Sequence, residues 1–89
     1  MNILDESFES AIEIVNKLKD LNNNELLSIY GLFKQAKFGD NQKEKPGMLD
    51  FKGQKKWEAW NSFKGVNSDN AKQQYVTLSI KLFKKYNKE

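Results

Sequence analysis

With 89 residues, this chain makes one small domain, near the size at which a single core holds itself together without a covalent staple. It has no cysteine and no histidine, which excludes disulfides and thiolate sites and removes the usual general base at neutral pH, the usual transition-metal ligands and the best nucleophile. A non-enzymatic protein with no metal, no cofactor and no catalytic residue is expected. The net charge of +3 is unevenly spread: residues 1–33 hold two lysines against six acids, residues 34–64 eight lysines against four acids, and residues 72–89 five against one, a polarity that suits an anionic partner.

The amino terminus, MNILDESFES, carries acids where a secretory signal would be positive. No apolar run approaches the roughly 20 residues of a membrane span, so a soluble, cytoplasmic protein with no stable membrane insertion is expected. The first helix is predicted from Asp5 or Glu6 to Asp20, with Phe8, Ala11, Ile12, Val15 and Leu18 on one face and an acidic first turn facing the positive end of the helix dipole. Asn22 to Asn24 supply a turn and a cap for a second helix, about Asn24 to Phe38, whose apolar stripe is Leu26, Leu27, Tyr30 and Phe33; Gly39 is placed to end it.

A polar connection with a Pro-Gly turn, GDNQKEKPGML, runs from Gly39 to Leu49 and exceeds most helix-to-helix links in length. Asp50 then caps a third helix reaching about Lys64, which Gly65 ends. Ser68 opens a fourth, with Ala71, Tyr75, Leu78 and Leu82 on one stripe and Val76, Ile80 and Phe83 widening it, and with Lys84, Lys85 and Lys88 near its carboxyl end. No strand pattern competes. The fold class is all-α, a four-helix bundle with a long overhand connection between the second and third helices.

Two stretches bear chemistry. On the second helix, Tyr30 and Lys34 are four apart and share a face, setting an aromatic ring beside an ammonium group. Gly31 between them costs about 1 kcal/mol against alanine and marks a close approach by a neighbouring helix or a ligand. On the third, Trp57, Trp60 and Phe63 recur at threes, and Lys56 stands about 100° round from Trp57, placed for a rim while the indole packs inside. All fifteen basic residues are lysine, with no guanidinium fork to read base edges. These pieces alone describe a basic, aromatic-edged bundle. They leave open a nucleic-acid binder and a module that docks an acidic protein or membrane surface.

Taken in order, YGLFKQAKFGD, KPGMLDFKGQKKWEAWNSFKG and a last helix bearing Ala71 and Tyr75 resemble the acyl-coenzyme A-binding protein family. The resemblance runs over essentially the whole chain from Phe8 and implies one acyl-CoA-binding domain, residues 1–89. Members are four-helix bundles that bind long-chain acyl-CoA esters, shielding and carrying them in the cell. By that resemblance Tyr30 and Phe33 would contact the head group, and Lys34 and Lys56 would meet its ribose 3′-phosphate. Tyr75 would pack on the adenine or its phosphate, while Phe8, Ala11, Ile12 and Leu27 would line the acyl-chain groove. A monomer that takes long-chain acyl-CoA and no nucleic acid is expected. Asn16 stands where many members have lysine, and Phe33 where many have tyrosine.

Overall fold

A computed structural model describes residues 2–87; Lys88, expected near the end of the last helix, lies outside them. Among the described residues there are four helices and no strand: α1 (Ile3–Lys17), α2 (Asn23–Phe38), α3 (Phe51–Asn61) and α4 (Ser68–Tyr86).

An asparagine or aspartate begins each helix, because its side-chain oxygen reaches an amide of the first turn that has no partner inside the helix. Asn2 accepts from the Asp5 N–H at 2.8 Å, Asp50 from Gly53 at 2.9 Å and Asn67 from Asn70 at 2.8 Å. Asn22 and Glu25 form a reciprocal capping box, with bonds of 2.8 and 2.9 Å. Both predicted ends of α1 shift. α1 starts at Ile3, since Asn2 is its cap, and stops at Lys17, since Leu18 is extended and turns inward to pack against the core. α4 begins at Ser68 as expected, with Asn67 before it as the cap, and the Ser68 hydroxyl donates to the Ala36 carbonyl of α2 at 2.7 Å.

Gly39 closes α2 with a φ of 76°. α3 gives way at Asn61 to tight turns, in which Lys64 N–H bonds Asn61 O at 3.1 Å and Val66 N–H bonds Phe63 O at 3.0 Å, before Gly65 reverses the chain at φ 92°. Both angles lie where a Cβ is strained.

The helices pack in the order α1–α4–α2–α3. Phe8, Ala11 and Val15 of α1 meet Ile29, Leu32 and Ala36 of α2 and Ala71, Tyr75 and Leu82 of α4 in one buried core. α3 lies on the far side of α2. There Gly31 is the contact point: a β-carbon built on it would stand 2.4 Å from the Ala59 carbonyl oxygen and 2.8 Å from the Phe63 ring. The glycine is the condition for the two backbones to meet.

α3 also fastens the long connection. The Trp60 indole N–H donates to the Gly39 carbonyl and that of Trp57 to the Lys43 carbonyl, each at 2.7 Å, while the Gln54 amide donates to the carbonyls of Pro46 and Gly47 at 3.1 and 3.0 Å. At its start, one Asp40 oxygen accepts from the Gln35 amide at 2.8 Å and the Gly65 N–H at 2.9 Å, tying the end of α2 to the α3–α4 turn. The Gly65 bond above all, and then that from Gln35, holds the Asp40 carboxyl below its ordinary range.

Candidate functional site

α1 and α2 both lie on α4 and meet each other only through side chains such as Phe8 and Phe33, so a cleft opens between them. It measures ≈ 660 Å³, within the range of roughly 300–1,000 Å³ of small-molecule sites. Ile12 and Val15 line it from α1, Leu18 and Leu21 from the link, and Leu26 and Ile29 from α2, which makes a largely apolar trough. Its polar groups are Asn16 on the α1 rim, Tyr30 on α2, Lys56 from α3 and Tyr75 from α4.

Two cations converge at the mouth. The Lys34 ammonium stands 5.8 Å and the Lys56 ammonium 5.5 Å from the centre of the same Tyr30 ring. Lys56 lies three residues before Ala59 and thus on the same side of α3, so the close approach at Gly31 also carries its ammonium to Tyr30. Lys34 is held in addition by Phe38 at 4.7 Å and Trp60 at 5.2 Å, both within the range of a cation–π contact. Neither lysine forms an ion pair among the described residues, whereas Lys37, Lys45, Lys72 and Lys85 each have a carboxylate partner. Two like charges beside one ring, with no acid to balance them, favour an anion between them.

The floor is aromatic. Phe8 of α1 meets Tyr75 of α4 edge-on at 5.1 Å and Phe33 of α2 at 6.2 Å, with Phe33 and Tyr75 6.5 Å apart. Tyr75 is only 2% exposed, and burial pushes its phenol up to about 12, so it stays a neutral donor across the physiological range. Its hydroxyl forms no hydrogen bond among the described residues, although the side chain lines the cleft.

The expected site residues fall into three groups. Tyr30, Phe33, Lys56, Tyr75 and Ile12 line the cleft, and Lys34 stands at its mouth over Tyr30. Phe8 and Ala11 are core residues, each 2% exposed. Leu27 is separated from the rest: it lies four residues before Gly31, on the α3 side of α2, and lines a different cleft of ≈ 400 Å³ with Lys55, Ala59 and Phe63. Ile29 takes the position in the trough assigned to Leu27. The spacing Leu26, Ile29, Phe33 marks that face of α2; adding Leu27 to the stripe obscures it. Leu21, in the link, carries no periodic signal.

An all-α bundle with an apolar trough, an aromatic floor and two lysines at the mouth is a binding domain shaped for an amphiphile with an anionic head. The family model described as acyl-CoA-binding protein matches residues 5–79, and the chain belongs to that family. It is 48% identical over 85 residues to the acyl-CoA-binding protein homolog of Drosophila melanogaster, covering 94% of this chain and 99% of the other. It is 44% identical over 80 residues to the acyl-CoA-binding protein of Saccharomyces cerevisiae, covering 89% and 92%. The crystal structure of Oryza sativa acyl-CoA-binding protein 2 superposes with a TM-score of 0.91 at 33% identity, covering 94% of each chain.

Proposed function

We propose that residues 1–89 form a single acyl-CoA-binding domain that takes long-chain fatty acyl-CoA esters without covalent change and serves as their carrier and pool-former. The observation that carries this reading is the pair Lys34 and Lys56, contributed by different helices to one Tyr30 ring at the mouth of an apolar cleft. The nearly dianionic 3′-phosphate lies between the two ammonium groups, each charge-assisted bond contributing about 1.5–3 kcal/mol. The adenine stacks on Tyr30, at roughly 1–3 kcal/mol by analogy with bases on aromatic side chains. Tyr75 has its ring taken up by Phe8 and Phe33, so it offers the ligand its hydroxyl rather than a stacking face.

The acyl chain follows the trough between α1 and α2, where burying about ten methylenes is worth roughly 8 kcal/mol. Leu18, Leu21, Leu26 and Ile29 replace Leu27 in this role, and Phe8 and Ala11 support the trough from beneath. Chain and head group thus act together, and the ester binds far better than either half.

The protein works as a cytoplasmic monomer, is not an enzyme and takes no nucleic acid, the last in keeping with a chain whose basic residues are all lysine. Native mass spectrometry of the chain mixed with palmitoyl-CoA, free CoA, palmitate and a short single-stranded oligonucleotide tests this. A one-to-one complex with the ester is expected to dominate; a dominant oligonucleotide complex contradicts the reading.

A further inference from the structure

The long connection carries a feature that neither core nor cleft uses. Met48, Leu49 and Phe51 are 84%, 92% and 71% exposed, three large apolar side chains within four residues. The backbone beneath them is braced. Asp50 N–H bonds Gly47 O at 3.0 Å, making Met48 and Leu49 the middle of a tight turn, and the Asp50 carboxylate caps Gly53 at 2.9 Å. Gln54 holds the carbonyls of Pro46 and Gly47, Trp57 holds that of Lys43, and Lys45 pairs with Glu58 at 2.9 Å. A turn fastened at this many points keeps its apolar side chains in water by construction, since it has little freedom to fold them inward.

Exposed lysines flank the knob: Lys43 before it, Lys52 and Lys55 after it. None of these three pairs with an acid among the described residues, while Asp50 is occupied as a helix cap and Glu58 by Lys45. Glu44 is the remaining acid in this stretch. The feature is a convex apolar point within a cationic collar, which fits a deformable apolar layer lying beneath a negatively charged one.

We propose that the Gly47–Asp50 turn and Phe51 form a wedge that seats the protein reversibly on an anionic phospholipid surface. Met48, Leu49 and Phe51 enter the boundary between headgroups and acyl chains, and Lys43, Lys52 and Lys55 lie against lipid phosphates. The inference does not depend on what the cleft binds. It is tested by co-sedimentation of the full chain, without acyl-CoA, with vesicles of phosphatidylcholine alone and with phosphatidylserine added. The wild type is expected to pellet with the anionic vesicles and little with the neutral ones. The variant Met48→Ser/Leu49→Ser/Phe51→Ser is expected to partition about tenfold more weakly, with an unchanged helical circular-dichroism signal because the three side chains make no part of the core. Failure of the wild type to bind anionic vesicles overturns the proposal, as does equal binding by the variant. Sedimentation equilibrium adds one more outcome: a wild-type dimer that the substitutions dissociate, without vesicle binding, makes the knob a self-association surface and overturns the proposal too.

Discussion

The ammonium groups of Lys34 and Lys56, from α2 and α3, stand 5.8 and 5.5 Å from the centre of one aromatic ring, that of Tyr30. Neither belongs to the core, so each can be removed with little structural consequence. Lys34→Ala and Lys56→Ala are each expected to weaken palmitoyl-CoA binding by about 1.5–3 kcal/mol and to leave binding of the 3′-dephospho analogue nearly unchanged. Titration calorimetry with both ligands decides this; equal losses for the two would remove that lysine from the phosphate.

Gly31 is the contact that carries α3, and with it Lys56, to Tyr30. Alanine would gain about 1 kcal/mol of helix propensity, but its β-carbon would meet the Ala59 backbone carbonyl, which cannot swing aside as a flexible side chain can. Gly31→Ala is therefore expected to destabilise the fold by roughly 1–3 kcal/mol, measured by urea unfolding, and to weaken ester binding as α3 moves away. A more stable variant would contradict the role given to this residue.

Tyr75 separates packing from binding. Tyr75→Phe keeps the ring against Phe8 and Phe33 and is expected to leave the melting temperature within a few degrees of wild type, while costing roughly 0.5–1.5 kcal/mol of ester affinity through the lost hydroxyl. Tyr75→Ala instead empties a buried site and is expected to cost about 3–5 kcal/mol of stability. Wild-type affinity in Tyr75→Phe would take the hydroxyl out of the ligand site.

The Glu25 carboxyl ties the start of α2 to the end of α4. Hydrogen bonds from Lys85, from the Tyr86 hydroxyl and from the Asn22 N–H lower it from the ordinary 4.5 to about 2. A depressed carboxyl adds stability that is fully present above pH 4.5 and is lost as the pH falls through about 2. Urea midpoints measured across that window are expected to fall more steeply for wild type than for Glu25→Gln. Asp40 and Glu58, also lowered, keep some slope in the variant. Identical slopes would show that Glu25 is not coupled to folding.

The elements were legible in the sequence wherever a local group decides them. The Asn22 and Asp50 caps and the stop at Gly39 act within one turn and need no tertiary partner, whereas α3 ends at Asn61, short of the Gly65 expected to stop it. Gly31 could be read as a close approach, but not as one to Ala59, because that pairing depends on how a connection of about eleven residues folds. That loop is in turn held by the indole N–H groups of Trp57 and Trp60, whose carbonyl partners no periodicity reveals.

In the site, Lys34, Lys56 and Tyr30 followed from recurring motifs. Leu27 lies outside the trough because it sits one residue, and about 100° of helix, off the face that Leu26, Ile29 and Phe33 define. Leu18 and Leu21 reach the trough because α1 ends early, a boundary set by the inward turn of Leu18 rather than by any stop residue.

The most direct test of the central claim is isothermal titration of the full chain with palmitoyl-CoA, set beside free CoA and palmitate under the same conditions. One ester per chain is expected to bind at least a thousandfold more tightly than either half, since the cleft and its mouth each contribute several kcal/mol only when chain and head group are joined. An ester that binds no better than free CoA or palmitate would contradict the account.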